Sequence, residues 1–304
     1  MITLGIYEKA LPKGISWKER LALAKKLGFD YIEMSIDETD DRLLRLDWTD
    51  EQCLQLVKDM HETNVSIYSI CLSGHRRMPF GSKNASKREI ALHIMDKAID
   101  LAHKLGVRNI QLAGYDVYYE EKTVASRNYF IENLKEAVAM AARKKITLSI
   151  EIMDDPFINS ITKFLQIKEQ ILSPWLQVYP DLGNLSAWPE NDVAYELEKG
   201  ISHICAIHLK DTLAVTNEFG GKFKGIDFGE GCVDFKGCLA TLKRLNYSGP
   251  FLIEMWSETS EQPEVEIQKA KDFLLPLLKE AGFDVDKRDS RFKGESISSK
   301  LSLA

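Results

Sequence analysis

Short apolar runs alternate with longer amphipathic stretches along this chain, and the alternation repeats eight times. The apolar runs are rich in Ile, Val and Leu, which is typical of parallel strands that are buried on both faces. The pattern predicts strands at residues 3–7, 31–35, 65–71, 109–113, 147–152, 176–179, 204–208 and 251–255. The stretches between them predict helices at residues 16–28, 49–64, 86–105, 126–144, 160–170, 192–199, 234–245 and 263–281.

Capping residues support the starts of several predicted helices. Ser16 with Glu19, Thr49 with Gln52, and Ser86 with Glu89 have the spacing of a capping box. Glycines stand at the ends of four predicted helices, Gly28, Gly106, Gly200 and Gly282, where a left-handed residue commonly closes the last turn.

Eight strand–helix units in one chain favour a single (β/α)8 TIM barrel. About 38 residues are available per unit, which is enough for each right-handed crossover. The alternative is a doubly wound open sheet, which would normally carry a GxGxxG turn after an early strand, and the sequence has none. We therefore expect a catalytic barrel over residues 1–286, followed by a polar, Ser-rich and basic tail over residues 287–304.

Composition and charge narrow the function classes. The chain has 304 residues and a formal net charge of −6; the tail carries +3, so the barrel carries −9. An acidic barrel argues against a nucleic-acid binder that relies on bulk charge. The five cysteines include no CxxC pair, and neither a signal peptide nor a membrane-spanning run is apparent. These features predict a cytoplasmic protein with reduced thiols.

Polar side chains end the predicted strands, at the face where barrel enzymes carry their active sites. Strand 2 ends at Glu33, and four consecutive strands finish in Glu151, Asp181, His208 and Glu254. Neighbouring strands lie about 4.8 Å apart, so the four side chains can converge on one point. Three carboxylates that close together repel one another unless a cation lies between them. We therefore expect one divalent metal ion, Zn²⁺, Mn²⁺, Co²⁺ or Mg²⁺, at these four residues.

Several sequence runs resemble one enzyme family, and the resemblance covers about residues 1–282. The runs are LGIYEKALP, GFDYIEMSIDETDDRL, SICLSGHRRMPFGS, IEIMDD, YPDLGNLSAW, AIHLKDT, FGEGCVDF and FLIEMW. They resemble the L-ribulose-5-phosphate / L-xylulose-5-phosphate 3-epimerases, which are xylose-isomerase-like barrels. The resemblance implies a homodimeric bacterial enzyme of sugar or L-ascorbate catabolism that acts on a phosphorylated ketopentose. It also implies the same four metal ligands.

The resemblance bears on one further position. Related epimerases of unphosphorylated ketohexoses often have a histidine three residues after the ligand aspartate, where this chain has Asn184. The phosphopentose enzymes look the same as this chain there, so Asn184 favours a phosphopentose and is a candidate substrate-binding residue.

The implied reaction assigns further roles. Epimerisation at C3 needs a proton removed on one face and returned on the other, and we predict Glu151 and Glu254 as the acid/base pair. Glu33 is expected to hydrogen-bond a substrate hydroxyl, and Trp188 and Phe80 are candidates to close over the sugar. The candidates for binding the phosphate are Lys9, Ser73, His75, Arg76, Lys210 and Lys222.

Other functions remain open at this point. The same metal scaffold could serve an aldose–ketose isomerase or a polyol dehydratase. An endonuclease-like phosphodiesterase would need more metals and more histidines at the active end. A non-catalytic sugar-phosphate sensor is a further alternative, although it has no need of a complete Glu/Asp/His/Glu set.

Overall fold

Eight parallel strands form a closed barrel in the computed structural model, which describes residues 2–285. The barrel strands are Leu4–Tyr7 (β1), Tyr31–Ile36 (β2), Ser66–Leu72 (β3), Asn109–Ala113 (β4), Thr147–Glu151 (β5), Leu176–Tyr179 (β6), Ile207–Leu209 (β7) and Phe251–Ile253 (β10). A two-stranded hairpin, Leu213–Val215 (β8) with Gly220–Lys222 (β9), follows β7. The tail predicted at 287–304 lies outside the described residues.

Ten α-helices accompany the strands in this described part of the chain. They are Trp17–Lys26 (α1), Asp40–Leu43 (α2), Asp50–Thr63 (α3), Ala85–Leu105 (α4), Val124–Arg143 (α5), Ile161–Lys168 (α6), Leu182–Ser186 (α7), Val193–Gly200 (α8), Phe235–Arg244 (α9) and Pro263–Glu280 (α10). None of the helices between residues 2 and 285 combines the length and the apolarity that a membrane crossing requires.

The strand order shows a barrel and excludes the doubly wound sheet. The ladder runs β6-β5-β4-β3-β2-β1-β10-β7 with every pair parallel. Two isolated bridges, Val178 with Ile204 and Asp181 with His208, close the seam between β6 and β7. The predicted TIM barrel is therefore confirmed.

Two predicted helix starts are wrong by a few residues. Helix α4 is capped by Asn84, whose side chain accepts a hydrogen bond from the backbone N–H of Ser86, so Ser86 lies inside the helix. Helix α5 is capped by Thr123, with Ser126 in its first turn. Both errors arise because a Ser in the first turn and a Ser at the cap look alike in sequence.

Candidate metal and active site

Four side chains from four neighbouring strands meet at the C-terminal end of the barrel. Glu151 ends β5, Asp181 follows β6 by two residues, His208 lies in β7, and Glu254 directly follows β10. One ligand atom from each residue lies within 4.8 Å of the others. All four residues are buried. The structure therefore brings together the four residues that the strand ends predict.

Local backbone structure fixes the Asp181 carboxylate at this centre. Asp181 caps α7, and its Oδ1 accepts a hydrogen bond of 2.7 Å from the backbone N–H of Asn184. The bridge between Asp181 and His208 brings the two residues together across the barrel seam. The other carboxylate oxygen, Oδ2, consequently lies 3.8 Å from His208 Nδ1.

The geometry and chemistry of these residues fit a divalent cation. Asp181 Oδ2 and Glu254 Oε2 are buried, and one lysine, Lys210, lies 2.8 and 3.0 Å from them, so a single positive charge is shared among the carboxylates of this centre. Each lies 3.8 Å from His208 Nδ1. Buried carboxylate oxygens are costly unless they are hydrogen-bonded or neutralised by a cation. Three carboxylates and one imidazole nitrogen form a donor set that suits Zn²⁺, Mn²⁺, Co²⁺ or Mg²⁺.

The carboxylates at this centre strongly affect one another's protonation. Burial, together with Glu254 and Glu151, raises the pKa of Asp181 to about 8 against the opposing effect of Lys210. Burial and Glu254 also raise the pKa of Glu151. Burial would raise the pKa of Glu254 as well, but Lys210 and His208 lower it to about 2. Such mutual repulsion is what a cation bound among the three carboxylates relieves.

Lys210 is bound to the candidate metal ligands themselves. Its Nζ lies 2.8 Å from Asp181 Oδ2 and 3.0 Å from Glu254 Oε2, and the residue is buried. The sequence predicts Lys210 as a cation for the phosphate. In the structure, the positive charge of Lys210 instead neutralises part of the negative charge of Asp181 and Glu254.

Glu33 does not lie at the rim of the barrel, where it was predicted to meet the substrate. It lies in the middle of β2 and is fully buried inside the barrel. Its Oε1 lies 3.0 Å from His208 Nε2, and its Oε2 accepts a hydrogen bond of 2.5 Å from Ser69 Oγ. Both oxygens are engaged within the protein, so the predicted hydrogen bond to a substrate hydroxyl does not fit this position.

His75 is packed away from the pocket, contrary to its predicted contact with the phosphate. Its ring lies 4.5 Å from that of Phe80, and its Nε2 donates a hydrogen bond of 3.0 Å to the carbonyl of Ala91. Burial lowers the pKa of His75 to about 4, so the ring is neutral at pH 7. Phe80 is itself buried against Phe130, which leaves it no part in closing over a sugar.

Four of the predicted phosphate contacts line the pocket above the central carboxylates: Lys9, Ser73, Arg76 and Lys210, the last of which is already paired with Asp181 and Glu254. The Arg76 guanidinium lies 4.9 Å from the ring of Tyr118, and its buried Nε has no hydrogen-bond partner among the described residues. Lys9 Nζ is held 2.5 Å from Asp37 Oδ2. Arg76 is therefore the most available of these cations.

The remaining candidates divide between the pocket and the surface. Asn184 lines the pocket; its Nδ2 donates to the carbonyl of Ile152, while its buried Oδ1 accepts nothing from the described residues. Lys222 lies exposed in the β8–β9 hairpin and outside the pocket lining, so its predicted phosphate contact is not supported. Trp188 packs beside Phe223, whose ring centroid is 6.2 Å away.

The pocket is also lined by Lys224 and Trp256, neither of which was predicted from the sequence. Lys224 Nζ lies 5.1 Å from the centre of the Trp256 ring, and burial and Arg76 lower the pKa of this lysine. Trp256 could have been noticed from its position two residues after Glu254. Lys224 could not be recognised in the sequence in this way. It follows the β8–β9 hairpin, whose strands are too short to show a strand pattern.

The chain matches a family of barrels described as Xylose isomerase-like TIM barrel over residues 21–277. It is 56% identical over 281 residues to the L-ribulose-5-phosphate 3-epimerase UlaE of Escherichia coli (strain SMS-3-5 / SECEC), a match that covers 92% of this chain and 96% of that protein. The chain belongs to the L-ribulose-5-phosphate 3-epimerase family. The protein is accordingly a carbohydrate epimerase, which is an isomerase, as the resemblance implies.

Further comparisons agree with this assignment. The epimerase is 56% identical over 280 residues to the putative L-ribulose-5-phosphate 3-epimerase SgbU of Escherichia coli (strain K12), covering 92% of this chain and 98% of that protein. Among solved structures, an L-ribulose 3-epimerase matches with a TM-score of 0.74 and 17% identity over the whole of both chains. A D-psicose 3-epimerase from Clostridium cellulolyticum H10 matches with a TM-score of 0.74 and 16% identity, covering 91% and 99% of the two chains. At such low identity these structures show the shared fold.

Proposed function

We propose that this epimerase interconverts L-ribulose 5-phosphate and L-xylulose 5-phosphate at C3, with one divalent metal ion held by Glu151, Asp181, His208 and Glu254. The observation that carries the proposal is the convergence of these four buried side chains within 4.8 Å. The 56% identity to an L-ribulose-5-phosphate 3-epimerase over nearly the whole chain supports the substrate.

The metal ion, when bound, would supply Lewis-acid stabilisation of the negative charge that develops on the C2 oxygen as the C3 proton leaves. The protein holds that charge away from water, because the four side chains are buried at the base of the pocket. The identity of the ion is left open among Zn²⁺, Mn²⁺, Co²⁺ and Mg²⁺, all of which accept this donor set.

In this proposal Glu151 and Glu254 move the proton on opposite faces of the sugar. Their strands, β5 and β10, are separated by β6 and β7 around the barrel, so the two carboxylates approach the centre from different sides. Gln111 Nε2 donates to Glu151 Oε2, and Lys210 lies 3.0 Å from Glu254 Oε2. Each carboxylate is thereby oriented, which general acid–base catalysis requires.

The phosphate end of the substrate lies toward Arg76 in this proposal. Arg76 has a buried Nε without a partner among the described residues, and Ser73, Lys9 and Lys224 line the same pocket. Guanidinium groups bind phosphate through charge-assisted hydrogen bonds, which makes Arg76 the principal candidate. The free Oδ1 of Asn184 is available to accept a hydrogen bond from a sugar hydroxyl.

Exchange of the C3 proton with solvent tests the two glutamates. Glu151→Gln and Glu254→Gln should each abolish epimerisation, because the proton must leave on one face and return on the other, and the variant that lacks the base facing the C3 proton of L-ribulose 5-phosphate should also lose incorporation of deuterium at C3 from D2O. The exchange is followed by NMR of L-ribulose 5-phosphate. Glu196→Gln is a matched control, since Glu196 is also buried but binds the first turn of α6.

Two results would contradict the assignment. Near-normal turnover in either pocket variant would show that the glutamate does not move the proton. Turnover of an aldose or an inosose in preference to L-ribulose 5-phosphate would favour the isomerase or dehydratase alternative instead.

The proposal also covers the oligomeric state, the cellular compartment and the pathway of the enzyme. The family resemblance supports a cytoplasmic homodimer that works in bacterial sugar or L-ascorbate catabolism. Light scattering on the purified protein tests the dimer, and a monomer mass would refute that part of the proposal.

A further inference from the structure

We propose that Glu33 is a positioning residue that fixes the tautomer and the orientation of His208, so that Nδ1 faces the metal. This inference rests on the proposed function, in which His208 is a metal ligand. It assigns a role to a buried carboxylate that does not line the substrate pocket.

The contacts of Glu33 form a short buried chain beneath the metal site. Ser69 Oγ donates a 2.5 Å hydrogen bond to Glu33 Oε2, and Glu33 Oε1 lies 3.0 Å from His208 Nε2. All three residues are fully buried. The serine therefore holds the carboxylate, and the carboxylate holds the imidazole.

This chain decides which histidine nitrogen is free for the metal. An ionised carboxylate only accepts hydrogen bonds, so His208 Nε2 must carry the hydrogen that it shares with Glu33. The other nitrogen, Nδ1, points toward the candidate metal ligands, 3.1 Å from Glu151 Oε1 and 3.8 Å from Asp181 Oδ2, and it would offer its lone pair to a metal ion that displaces the hydrogen it shares with Glu151. Carboxylates in this outer position fix metal-binding histidines in many proteins and raise their basicity.

The neighbouring ring limits other arrangements of His208. The centroid of Tyr179 lies 4.3 Å from that of His208, so the imidazole is packed on one side as well as hydrogen-bonded at its edge. A flip of the ring would place the carbon Cε1 where Nε2 lies and the carbon Cδ2 where Nδ1 lies, and would leave Glu33 without its hydrogen bond. Loss of Glu33 should therefore weaken metal binding specifically.

Titration with Co²⁺, followed by its visible absorption, measures this effect on the full-length protein. Glu33→Gln keeps an uncharged acceptor and should lower Co²⁺ affinity about tenfold, whereas Glu33→Leu removes the acceptor and should lower it by up to about a hundredfold. The ¹⁵N shifts of His208 in the Zn²⁺-loaded protein should also move toward a mixed tautomer population in Glu33→Leu.

Ser149→Ala is the matched control, because Ser149 is another fully buried serine of the barrel strands and makes no hydrogen bond to Glu33 or His208. It should leave Co²⁺ affinity unchanged. Ser69→Ala should lower the affinity by roughly two- to tenfold, the effect of one ordinary hydrogen bond. If both Glu33 variants fail to fold, the Co²⁺ affinity of Ser69→Ala still tests the positioning role.

The outcomes separate this inference from the proposed function. Unchanged Co²⁺ affinity and unchanged ¹⁵N shifts in the Glu33 variants, or in Ser69→Ala if only that variant folds, would overturn the positioning role alone. A lower unfolding temperature in EDTA with unchanged affinity would show a merely structural carboxylate. Failure of the wild-type protein to bind Co²⁺ at this site would overturn the proposed function, and this inference with it.

Discussion

Adjacent residues of this chain can have opposite functional potential, as Arg76 and Arg77 show. Arg76 lines the pocket and lies against Tyr115 and Tyr118. Arg77 points outward, and its Nη1 donates to Asp40 Oδ1 and to the carbonyl of Glu38. The sequence run that contains both arginines does not distinguish them, whereas their surroundings do.

At the residue scale, Arg76→Ala should raise the KM for L-ribulose 5-phosphate at least about tenfold, because a charge-assisted hydrogen bond to phosphate is lost. Steady-state kinetics measures this value. Arg77→Ala is the control and should leave KM nearly unchanged. A KM that hardly moves in Arg76→Ala would place the phosphate elsewhere in the pocket.

The loop after β3 is held in place by His75, a side chain that looks like a substrate contact in the sequence. Its single 3-10 turn, Gly74–Arg76, presents Arg76 to the pocket and turns His75 inward onto Phe80. The hydrogen bond from His75 to Ala91 ties this turn to α4. His75 therefore anchors the element from which Arg76 acts.

This anchor predicts a pH dependence of stability. The pKa of His75 is about 4 in the folded protein and about 6.5 when unfolded, so the unfolded chain binds more protons between these values. Its stabilising contribution is present above pH 6.5 and is lost as the pH falls toward 4. Urea midpoints at pH 7 and pH 5 should therefore differ less in His75→Gln than in the wild type.

His93→Gln serves as the control for that comparison, because His93 is exposed on α4. It should show the same difference between pH 7 and pH 5 as the wild type. Equal differences in all three proteins would mean that His75 titrates as an ordinary exposed histidine.

The barrel as a whole has its weakest strand pairing where the candidate metal site lies. Continuous ladders join the strands from β6 round to β7, but two isolated bridges join β6 to β7 themselves. Asp181 and His208 form one of these bridges, so a metal ion held by both residues would link the two sides of the seam. Metal binding should consequently stabilise the fold in addition to supporting catalysis.

Removal of metal tests this link. Treatment with EDTA should abolish turnover and lower Tm by about 5 °C, the shift expected when a ligand near a hundredfold above its Kd is withdrawn. Calorimetry measures Tm, and added Mn²⁺ or Co²⁺ should restore both properties. Full activity in the metal-free protein would contradict the proposed role of the ion, and an unchanged Tm would contradict the link across the seam.

The amino-acid sequence by itself determined the repeating strand–helix pattern and the four residues of the candidate metal site. Both the strand pattern and these four residues can be detected from neighbouring positions in the sequence. Burial on two faces makes each strand apolar, and a polar residue at the end of a strand differs clearly from that apolar run. Parallel strands in a barrel all end at one face, so locally detected residues such as Glu151 and Glu254 could be expected to meet.

Only the tertiary structure decided which side chains contact one another inside the barrel. Glu33 and His208 are 175 positions apart, and Glu33, which was expected at the rim, lies in mid-strand with its side chain inside the barrel. Lys210 and His75 resemble ligand contacts in sequence but are engaged by Asp181 and by Ala91. Such pairings depend on register and packing between distant segments, which the local pattern of one chain does not record.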